Sequence, residues 1–433
     1  MKKQAFTAVT FAFLWGVANA GYSLTLSEAV VHTLKTNPEV LAAKREYYSR
    51  ELEIKQARAG YLPQISLRAG IGEETRRSPA TGNRNVDLER KELSLQAQQM
   101  LFDGMATSSE VRRQKSRATS AKHDLGATAE DLALRTSSTY LDVLRHAELL
   151  TLTRESLDEH QSIYDQMKLR SETGVGSSAD LNQIGARLAL AHANMIVAQN
   201  NLDDVKVNFF RLTGFRPNVD HMQKPDAEGT LPPSVDQAIN RALENHPTLH
   251  SAQFDFKSAM AQHRASRSSF LPRIQLEAEK RWDENVGGIR GDDEDLIIAL
   301  RLNYTLYSGG ANRARKKQTA ELVEQSKDVR NNVRRQVIES MNLSWNSYQA
   351  LSSQMKYLQM HVDAASATKE AYSKQFSIGR RTLLDLLNTE TEVIEAKRAF
   401  INAEYDKLYS RYRVFNASGA LLSALSVDWS VEH

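Results

Sequence analysis

Two long stretches of the chain carry apolar residues at helical spacing and almost no residue that breaks a helix. From position 311 to 377 there is neither glycine nor proline, and Ala, Glu, Gln, Lys, Arg and Leu dominate, all of which favour helices. Its apolar residues step mostly by three, four or seven positions, and they include Val329, Val333, Val337, Met341, Trp345, Tyr348, Met355, Leu358 and Val362. We therefore predict a helix over about 311–377, with a proline-free counterpart over about 104–173.

Each long helix would be followed by a glycine turn and a second helix that runs back. Gly174 and Gly176 mark the first turn and Gly379 the second, because glycine suits the left-handed backbone that ends many helices. We predict return helices over about 179–212 and 383–415. At about 1.5 Å per residue the long helices reach about 100 Å, so the molecule should be a rod or a tube.

The return helices are only about half as long as their partners. Helices over about 38–60 and 247–269 end just before Pro63 and Pro272, where proline terminates regular structure. These shorter helices supply the missing half if they stack end to end on the return helices.

Strict alternation of apolar and polar residues appears between each of these prolines and the following long helix. The predicted strands cover about 64–73, 92–102, 273–282 and 296–307. Alternation over about ten residues is typical of transmembrane β-barrels, with apolar side chains towards lipid and polar ones towards the lumen. An ordinary half-buried hairpin has the same pattern. The loops inside the two hairpins, 73–88 and 283–295, are expected to be long and polar.

Four strands cannot close a barrel, for which eight is the usual minimum. Because lipid does not tolerate an open sheet edge, other chains must complete the sheet. Two copies would give about eight strands and three copies about twelve, and only the larger number leaves a lumen.

The predicted elements occur twice in the same order. Leu62-Pro63-Gln64 recurs as Leu271-Pro272-Arg273 at a spacing of 209, and Leu101-Phe102-Asp103-Gly104 recurs as Leu306-Tyr307-Ser308-Gly309 at 205. We divide the chain into a first repeat (21–214), a linker (215–233), a second repeat (234–419) and a tail (420–433). Units this long are duplicated half-molecules and not small solenoid repeats.

The first twenty residues have the features of a secretory signal peptide. Lys2 and Lys3 precede a short apolar run that ends in Ala18-Asn19-Ala20, a typical cleavage pattern; a buried N-terminal helix is the alternative. Loss of the two lysines lowers the formal charge from +3 to +1, which argues against a nucleic-acid partner. With no cysteine, the chain has no disulfide framework and no thiolate metal site.

No pattern of catalytic residues stands out, so we expect neither an enzyme nor a cofactor. His246 and His250 are four residues apart but lack the glutamate of a zinc-protease motif. The acidic run Asp292–Asp295 has the chemistry to bind Ca²⁺ but not the EF-hand spacing, and a solvated loop is the plainer interpretation.

Asp180 and Asp385 occupy equivalent positions at the start of the two return helices. A carboxylate in a first helical turn is stabilised by the helix dipole, which is a sufficient structural reason for both. In a ring of several copies, the same residues would form a circle of negative charge that selects cations.

The ordered motifs of the two repeats resemble the TolC family of outer-membrane channel-tunnels, also called outer membrane efflux proteins. They are Asn37-Pro38-Glu39, Leu62-Pro63-Gln64, Leu101-Phe102-Asp103, Tyr140-Leu141-Asp142-Val143-Leu144 and Arg381-Thr382-Leu383-Leu384-Asp385-Leu386-Leu387 with their counterparts. The resemblance implies a mainly α fold with a membrane β-barrel. It also implies a homotrimer whose twelve-stranded barrel, in the outer membrane of a Gram-negative bacterium, continues as a twelve-helix periplasmic tunnel.

The resemblance also implies a periplasmic gate at the hairpin turns. An aspartate on one turn meets an arginine and a tyrosine on the other, and the matching positions are Asp180, Arg381 and Phe376. Phe376 departs from the pattern because it has no hydroxyl. In the family, two rings of acidic residues form the constriction. The matching positions here are Asp385 and Asn388. Because Asn388 carries no charge, only one ring of carboxylates, that of Asp385, is expected.

The function implied is an exit duct that an inner-membrane transporter and a periplasmic adaptor (membrane fusion protein) supply. The expected cargo is a secreted adhesin-like protein from an ABC exporter of type I secretion; the alternative is small toxic compounds from a proton-driven pump. From another class, a periplasmic coiled-coil adaptor or a structural rod is the competing interpretation.

Overall fold

The computed structural model describes residues 24–226 and 230–429. The predicted signal peptide, 1–20, lies outside these residues. The first repeat contains α1 (Leu26–Thr36), α2 (Pro38–Ala59), α3 (Ala106–Glu172) and α4 (Ser178–Thr213). The second repeat contains α5 (Val235–Asn245), α6 (Pro247–Ala265), α7 (Ala311–Ser377) and α8 (Leu383–Ala417), and the short α9 (Leu421–Ala424) follows.

The two long helices, α3 and α7, have the same length of 67 residues. α3 packs against α4 and α2 on one side and against α8 and α6 on the other, and α7 packs against α8 and α6. The chain is thus a row of four helical columns. Within the described part of the chain, no helix is both long and apolar enough to cross a membrane.

The half-length helices meet end to end, as the sequence suggests. The Asn37 side-chain amide, at the start of α2, donates a hydrogen bond of 2.9 Å to the Leu212 carbonyl near the end of α4. In the second repeat, Gly419 has a φ of +66°, and a Cβ there would lie only 2.8 Å from Pro247 Cδ. Glycine therefore permits the end of α8 to abut the start of α6.

Sequence reasoning did not identify α1 and α5, which pack across the long helices α3 and α7. Thr25 and Glu28 form a capping box at the start of α1, whose buried side chains include Leu26, Ala29 and Val30. That pairing of Thr and Glu three residues apart is a recognisable helix start, so the sequence did carry a signal for α1.

A four-stranded antiparallel sheet caps one end of the columns, in the order β1 (Gln64–Arg76), β2 (Val86–Phe102), β3 (Arg273–Glu284) and β4 (Asp292–Asn303). One face is apolar and exposed, and its residues include Ile65, Leu67, Ile71, Leu93, Leu95, Leu276, Leu296, Ile298, Leu300 and Leu302. The other face bears polar residues such as Arg68, Gln96, Gln98, Glu277 and Arg301. Among residues 24–226 and 230–429, no strand pairs with the outer edge of β1 or of β4.

The strands extend into the segments that we expected to be long loops, so that expectation is wrong. The connections cover only 77–85 and 285–291, and Asp292–Asp295 belongs to β4. Oppositely charged neighbours explain the extension: Lys280 Nζ lies 2.7 Å from Glu294 Oε2 and Arg281 Nη2 lies 3.5 Å from Asp295 Oδ2. Such cross-strand pairs stabilise a sheet beyond its apolar band.

β4 also ends earlier than predicted, at Asn303 and not at 307. Its last partner is Arg273, the first residue of β3. Pro272 precedes that residue and has no N–H to continue the ladder, so apolar side chains at 304–307 do not prolong the strand.

Candidate functional site: the paired hairpin tips

Far from the sheet, the α3–α4 and α7–α8 hairpins end in two turns. Gly174 has a φ of +75° and Gly379 a φ of +74°, which glycine adopts without steric cost. Gly176 is required for a different reason, since a Cβ there would lie 2.9 Å from the Ser171 nitrogen. The backbone N–H groups of Gly176 and Arg380 donate back to the last turns of α3 and α7, at 2.9 Å each.

Asp385 belongs to the cap of α8. Its N–H donates to Thr382 Oγ1 at 3.2 Å, and its carboxylate accepts from the Thr382 N–H at 3.3 Å. Asp385 Oδ2 also lies 3.8 Å from Arg381 Nη1. Asn388, one turn further along α8, is exposed. The two residues of the expected ring therefore lie on the same side of the helix.

Within the described residues of one chain, Arg381 contacts Gln375, Asp385 and Tyr372 of its own hairpin. Its Nε donates to Gln375 Oε1 at 3.0 Å, and its guanidinium lies 4.1 Å from the ring centroid of Tyr372. Within the described part of one chain, no ion pair joins Arg381 to the half-buried Asp180. The Asp180–Arg381 pair remains a prediction that would require a second copy.

Phe376 joins the two hairpins through apolar packing. Only 8% of its surface is exposed, and the Arg170 guanidinium lies 5.1 Å from its ring centroid. We call the surrounding set the tip cluster, which contains Ile163, Met167, Ile184, Phe376, Leu383, Leu386 and Leu387. Because these residues come from α3, α4, α7 and α8, the cluster fixes the two hairpins to each other.

A second link between the hairpins was not found from the sequence. Lys369 Nζ on α7 lies 2.6 Å from Glu390 Oε2 on α8 and 3.5 Å from Glu159 Oε1 on α3. Burial of Lys369 opposes its charge, but the carboxylates of Glu390 and Glu159 outweigh this effect and raise the pKa of Lys369. We call these three residues the tip triad.

The sequence does carry one signal for the tip triad, which is a charged residue that interrupts the apolar pattern of α8. Glu390 lies between Leu386, Leu387 and Val393 at helical spacing, where an apolar side chain is expected. A buried carboxylate at such a position needs a cationic partner, which the sequence alone does not place.

Among residues 24–226 and 230–429, no group of three or more His, Asp or Glu side chains is arranged to hold a metal ion. The Nε2 atom of His250 lies 2.8 Å from the Glu244 carbonyl oxygen, and His246 occupies the N-cap position of α6 without a side-chain capping hydrogen bond. In the acidic run of β4, Glu294 pairs with Lys280 and Asp295 with Arg281.

Comparison with known proteins places this architecture in a family. A family model described as "Outer membrane efflux protein" matches residues 29–214 and 238–420, which correspond to the two repeats. The chain is 24% identical to outer membrane efflux protein BepC of Brucella suis biovar 1, over 93% of this chain and 87% of that protein. It is 25% identical to alkaline protease secretion protein AprF of Pseudomonas aeruginosa, over 95% and 87% respectively.

Among solved structures, the outer-membrane channel OprN matches with a TM-score of 0.81 and 17% identity, over 91% of this chain and 90% of that chain. This likeness confirms the predicted fold class, a helical tunnel joined to a β-barrel. The resemblance to TolC-type channel-tunnels is confirmed as well, and these relatives are channels and not enzymes. The chain is an outer-membrane protein with a periplasmic tunnel, and it belongs to the outer membrane efflux protein family.

Proposed function

We propose that this chain is one of three identical subunits of a passive exit duct. The observation that carries the proposal is the four-stranded sheet with two open edges, attached to helices of 67 residues. Lipid penalises every unpaired backbone group, so copies of the sheet must close on one another. Three copies give about twelve strands, enough to leave a lumen, whereas the eight strands of two copies would be filled by side chains.

In this duct the polar face of the sheet lines the lumen and the apolar face contacts lipid. The helical columns of three chains continue the barrel as a twelve-helix tunnel across the periplasm. An adaptor and an inner-membrane transporter deliver cargo at the hairpin tips. The tip cluster, the tip triad and an Asp180–Arg381 pair between copies hold this end narrow, and a ring of Asp385 carboxylates favours cations.

The proposed cargo is a protein delivered by an ABC exporter of type I secretion. The similarity to AprF, whose name refers to secretion of a protease, supports this choice. BepC, which is named as an efflux protein, is 24% identical over 93% of this chain, so small-molecule efflux driven by a proton pump is the second candidate. The family match favours a channel over a periplasmic adaptor or a structural rod.

Two measurements test the duct. Purified protein should run as a trimer in native mass analysis and conduct ions in planar bilayers; a monomer without conductance would contradict the proposal.

A deletion strain tests the cargo. It should lose one or more large extracellular proteins while its susceptibility to dyes and detergents is unchanged. Unchanged extracellular proteins together with a raised susceptibility to dyes and detergents would support small-molecule efflux.

A further inference from the structure

Exposed basic side chains lie on the helices just below the sheet. They occupy the first turns of α3 and α7 and the last turn of α6, and they are Arg112, Lys115, Arg264, Arg313 and Lys317. At about 1.5 Å per residue, each lies within about 15 Å of the sheet end of its helix. In the part of the chain that the structure describes, none of them forms an ion pair. We call this set the basic collar.

The opposite side of the same helices is balanced in charge. A cleft between α2, α3 and α6 is lined there by Glu46, Arg50, Arg117, Asp124 and Asp255, among others. Arg50 lies 2.7 Å from Glu46, and Arg117 lies 3.0 Å from Glu53. The arginines of the cleft side are therefore neutralised within the chain, whereas the cations of the collar are free for another partner.

The shape of the helix layer indicates which side is outside. α2 and α6 both contact α3, and the cleft lies in the hollow between them. A closed ring of helices is concave towards its axis, so the cleft side faces the lumen. Arg264 is nine residues, or two and a half turns, from the cleft residue Asp255 on α6. Arg264 therefore lies on the outside of the tube.

Arg313 lies on the same side as Arg264. α6 and α7 meet where His263 Nδ1 lies 3.0 Å from Thr319 Oγ1 and the Asn312 amide donates to the Ser269 carbonyl at 3.2 Å. Arg264 follows His263, and Arg313 follows Asn312. Because the two helices are antiparallel, the residue that follows the contact on each helix is turned to the same side.

The remaining residues of α7 separate by side. Lys317 is one turn beyond Arg313 and shares its side of the helix, whereas Arg315 lies about 160° away from both. Arg315 is exposed as well, and its Nη1 lies 2.7 Å from Gln318 Oε1. The collar therefore follows the outer surface, and Arg315 belongs to the lumen side at the same depth.

The sheet places the collar relative to the membrane. The apolar alternation of β4 starts at Leu296 and continues to Tyr304, which is 50% exposed. These eight steps span about 26 Å, close to the apolar band of about 25 Å in transmembrane barrels. Tyr307, which is 84% exposed, follows. Aromatic residues mark the boundary between hydrocarbon and headgroups, so the collar begins at the headgroups of the periplasmic leaflet.

We infer that the basic collar binds the phosphate groups of anionic phospholipids in the periplasmic leaflet of the outer membrane. Lysine and arginine lay their methylene groups along apolar surface and extend the charged end to the headgroups. A guanidinium also donates two parallel hydrogen bonds to a phosphate. The inference goes beyond the proposed duct, since it assigns a lipid partner that neither candidate cargo requires.

The lipid-facing side of the outer rim differs in charge from the collar. Lys91 lies 3.1 Å from Glu284, and Lys280 lies 2.7 Å from Glu294. These lysines are already paired with carboxylates of neighbouring strands. Unpaired cations on the membrane surface of the barrel thus concentrate at the periplasmic rim, which restricts the lipid preference to that leaflet.

Matched pairs of arginines test the inference. Purified protein is mixed with micelles that contain phosphatidylglycerol and phosphatidylcholine in equal amounts, and native mass spectrometry counts the lipids retained. The wild type should retain phosphatidylglycerol in preference. Arg313→Gln should weaken this preference about fivefold, the factor expected for one cation beside an anionic membrane surface. Arg315→Gln, its control on the lumen side, should leave the preference unchanged.

The same comparison applies to α3. Arg112→Gln should weaken the preference about fivefold. The control is Arg113→Gln, whose arginine lies 2.7 Å from Glu110, and it should retain the wild-type preference. All four positions are at least partly exposed, so the variants should fold, and the native mass of the trimer confirms this in the same spectra.

Three results would overturn the inference. They are equal retention of both lipids by the wild type, equal losses in the collar variants and their controls, and a preference that no collar substitution weakens. Sedimentation with purified peptidoglycan would reveal a different partner if the collar variants lost that binding and kept their lipid preference. A conducting trimer without lipid preference would refute only the collar, whereas a monomer without conductance would refute the proposed duct.

Discussion

The ammonium group of Lys369 lies 2.6 Å from the carboxylate of Glu390, whose residue is only 2% exposed. Lys369 belongs to α7 and Glu390 to α8, and Glu159 of α3 adds a second carboxylate at 3.5 Å. This contact holds three helices together close to the turns, where the proposed duct must narrow.

Replacing Lys369 with Ala should destabilise the protein by about 3 kcal/mol, because it leaves the buried charge of Glu390 without a partner. It should also raise the resting conductance of single channels. The matched control is Lys374→Ala, which removes an exposed ion pair of the same helix, with Glu370. Denaturation in detergent and planar-bilayer recordings measure the two effects; equal behaviour of both variants would exclude Lys369 as a link between the hairpins.

Phe376→Ala should cost about 3 kcal/mol, since it opens a cavity in the tip cluster. If apolar packing has taken over the role of the missing tyrosine hydroxyl, this variant also conducts more at rest. Ile378→Ala, at an exposed position two residues away, should change neither property. A resting conductance that stays at the wild-type value in Phe376→Ala would contradict the role of the cluster in closure.

Arg381→Ser should raise the resting conductance if Arg381 pairs with Asp180 of a neighbouring copy. Asp180→Asn should have the same effect, and the double variant should add little, because both changes remove one interaction. Arg380→Ser, at the adjacent exposed arginine, serves as the control. Additive effects of the two single changes would show that Arg381 and Asp180 act separately.

Asp385→Asn should weaken cation selectivity and the block by multivalent cations, because it removes the charge of the ring and retains an oxygen for the Thr382 cap. Conversely, Asn388→Asp adds a second ring one turn away and should strengthen both. Reversal potentials in a salt gradient measure selectivity. If both variants have the same reversal potentials as the wild type, Asp385 and Asn388 do not line the constriction.

Glu130 should make attachment of the C-terminal segment depend on pH. Its buried carboxylate accepts from the Leu421 N–H at 3.0 Å and the Leu422 N–H at 3.3 Å, and burial raises the pKa of Glu130 to about 7. The folded protein thus binds this proton more tightly than the unfolded chain. The resulting stabilisation is complete below about pH 4.5 and is lost as the pH rises through 7.

Compared with Glu130→Gln, the wild type should therefore lose up to about 3 kcal/mol between about pH 4.5 and pH 8. Hydrogen exchange of residues 421–429 at the two pH values measures this difference. If hydrogen exchange varies with pH in the same way in the wild type and in Glu130→Gln, a group other than Glu130 causes the pH dependence.

The sequence specified the helices and the apolar centre of each strand because both depend on local periodicity. It failed at the outer ends of the β-hairpins, where Glu294 and Asp295 look like loop residues until their cross-strand partners, Lys280 and Arg281, are known. The tip triad was missed for a similar reason, since its three members lie on three helices. The Asp180–Arg381 pair stays a prediction for another reason, because a contact between subunits can be tested only in the presence of a neighbouring subunit.

The end-to-end junctions have a mechanical consequence. A column made of α2 on α4 is joined by the Asn37–Leu212 hydrogen bond and by local packing, with no continuous backbone across the break. Such a joint bears compression along its axis but transmits little torque. A rotation of α4 relative to α2, or of α8 relative to α6, therefore strains no backbone in these columns, and the continuous helices α3 and α7 alone connect the tips to the sheet end.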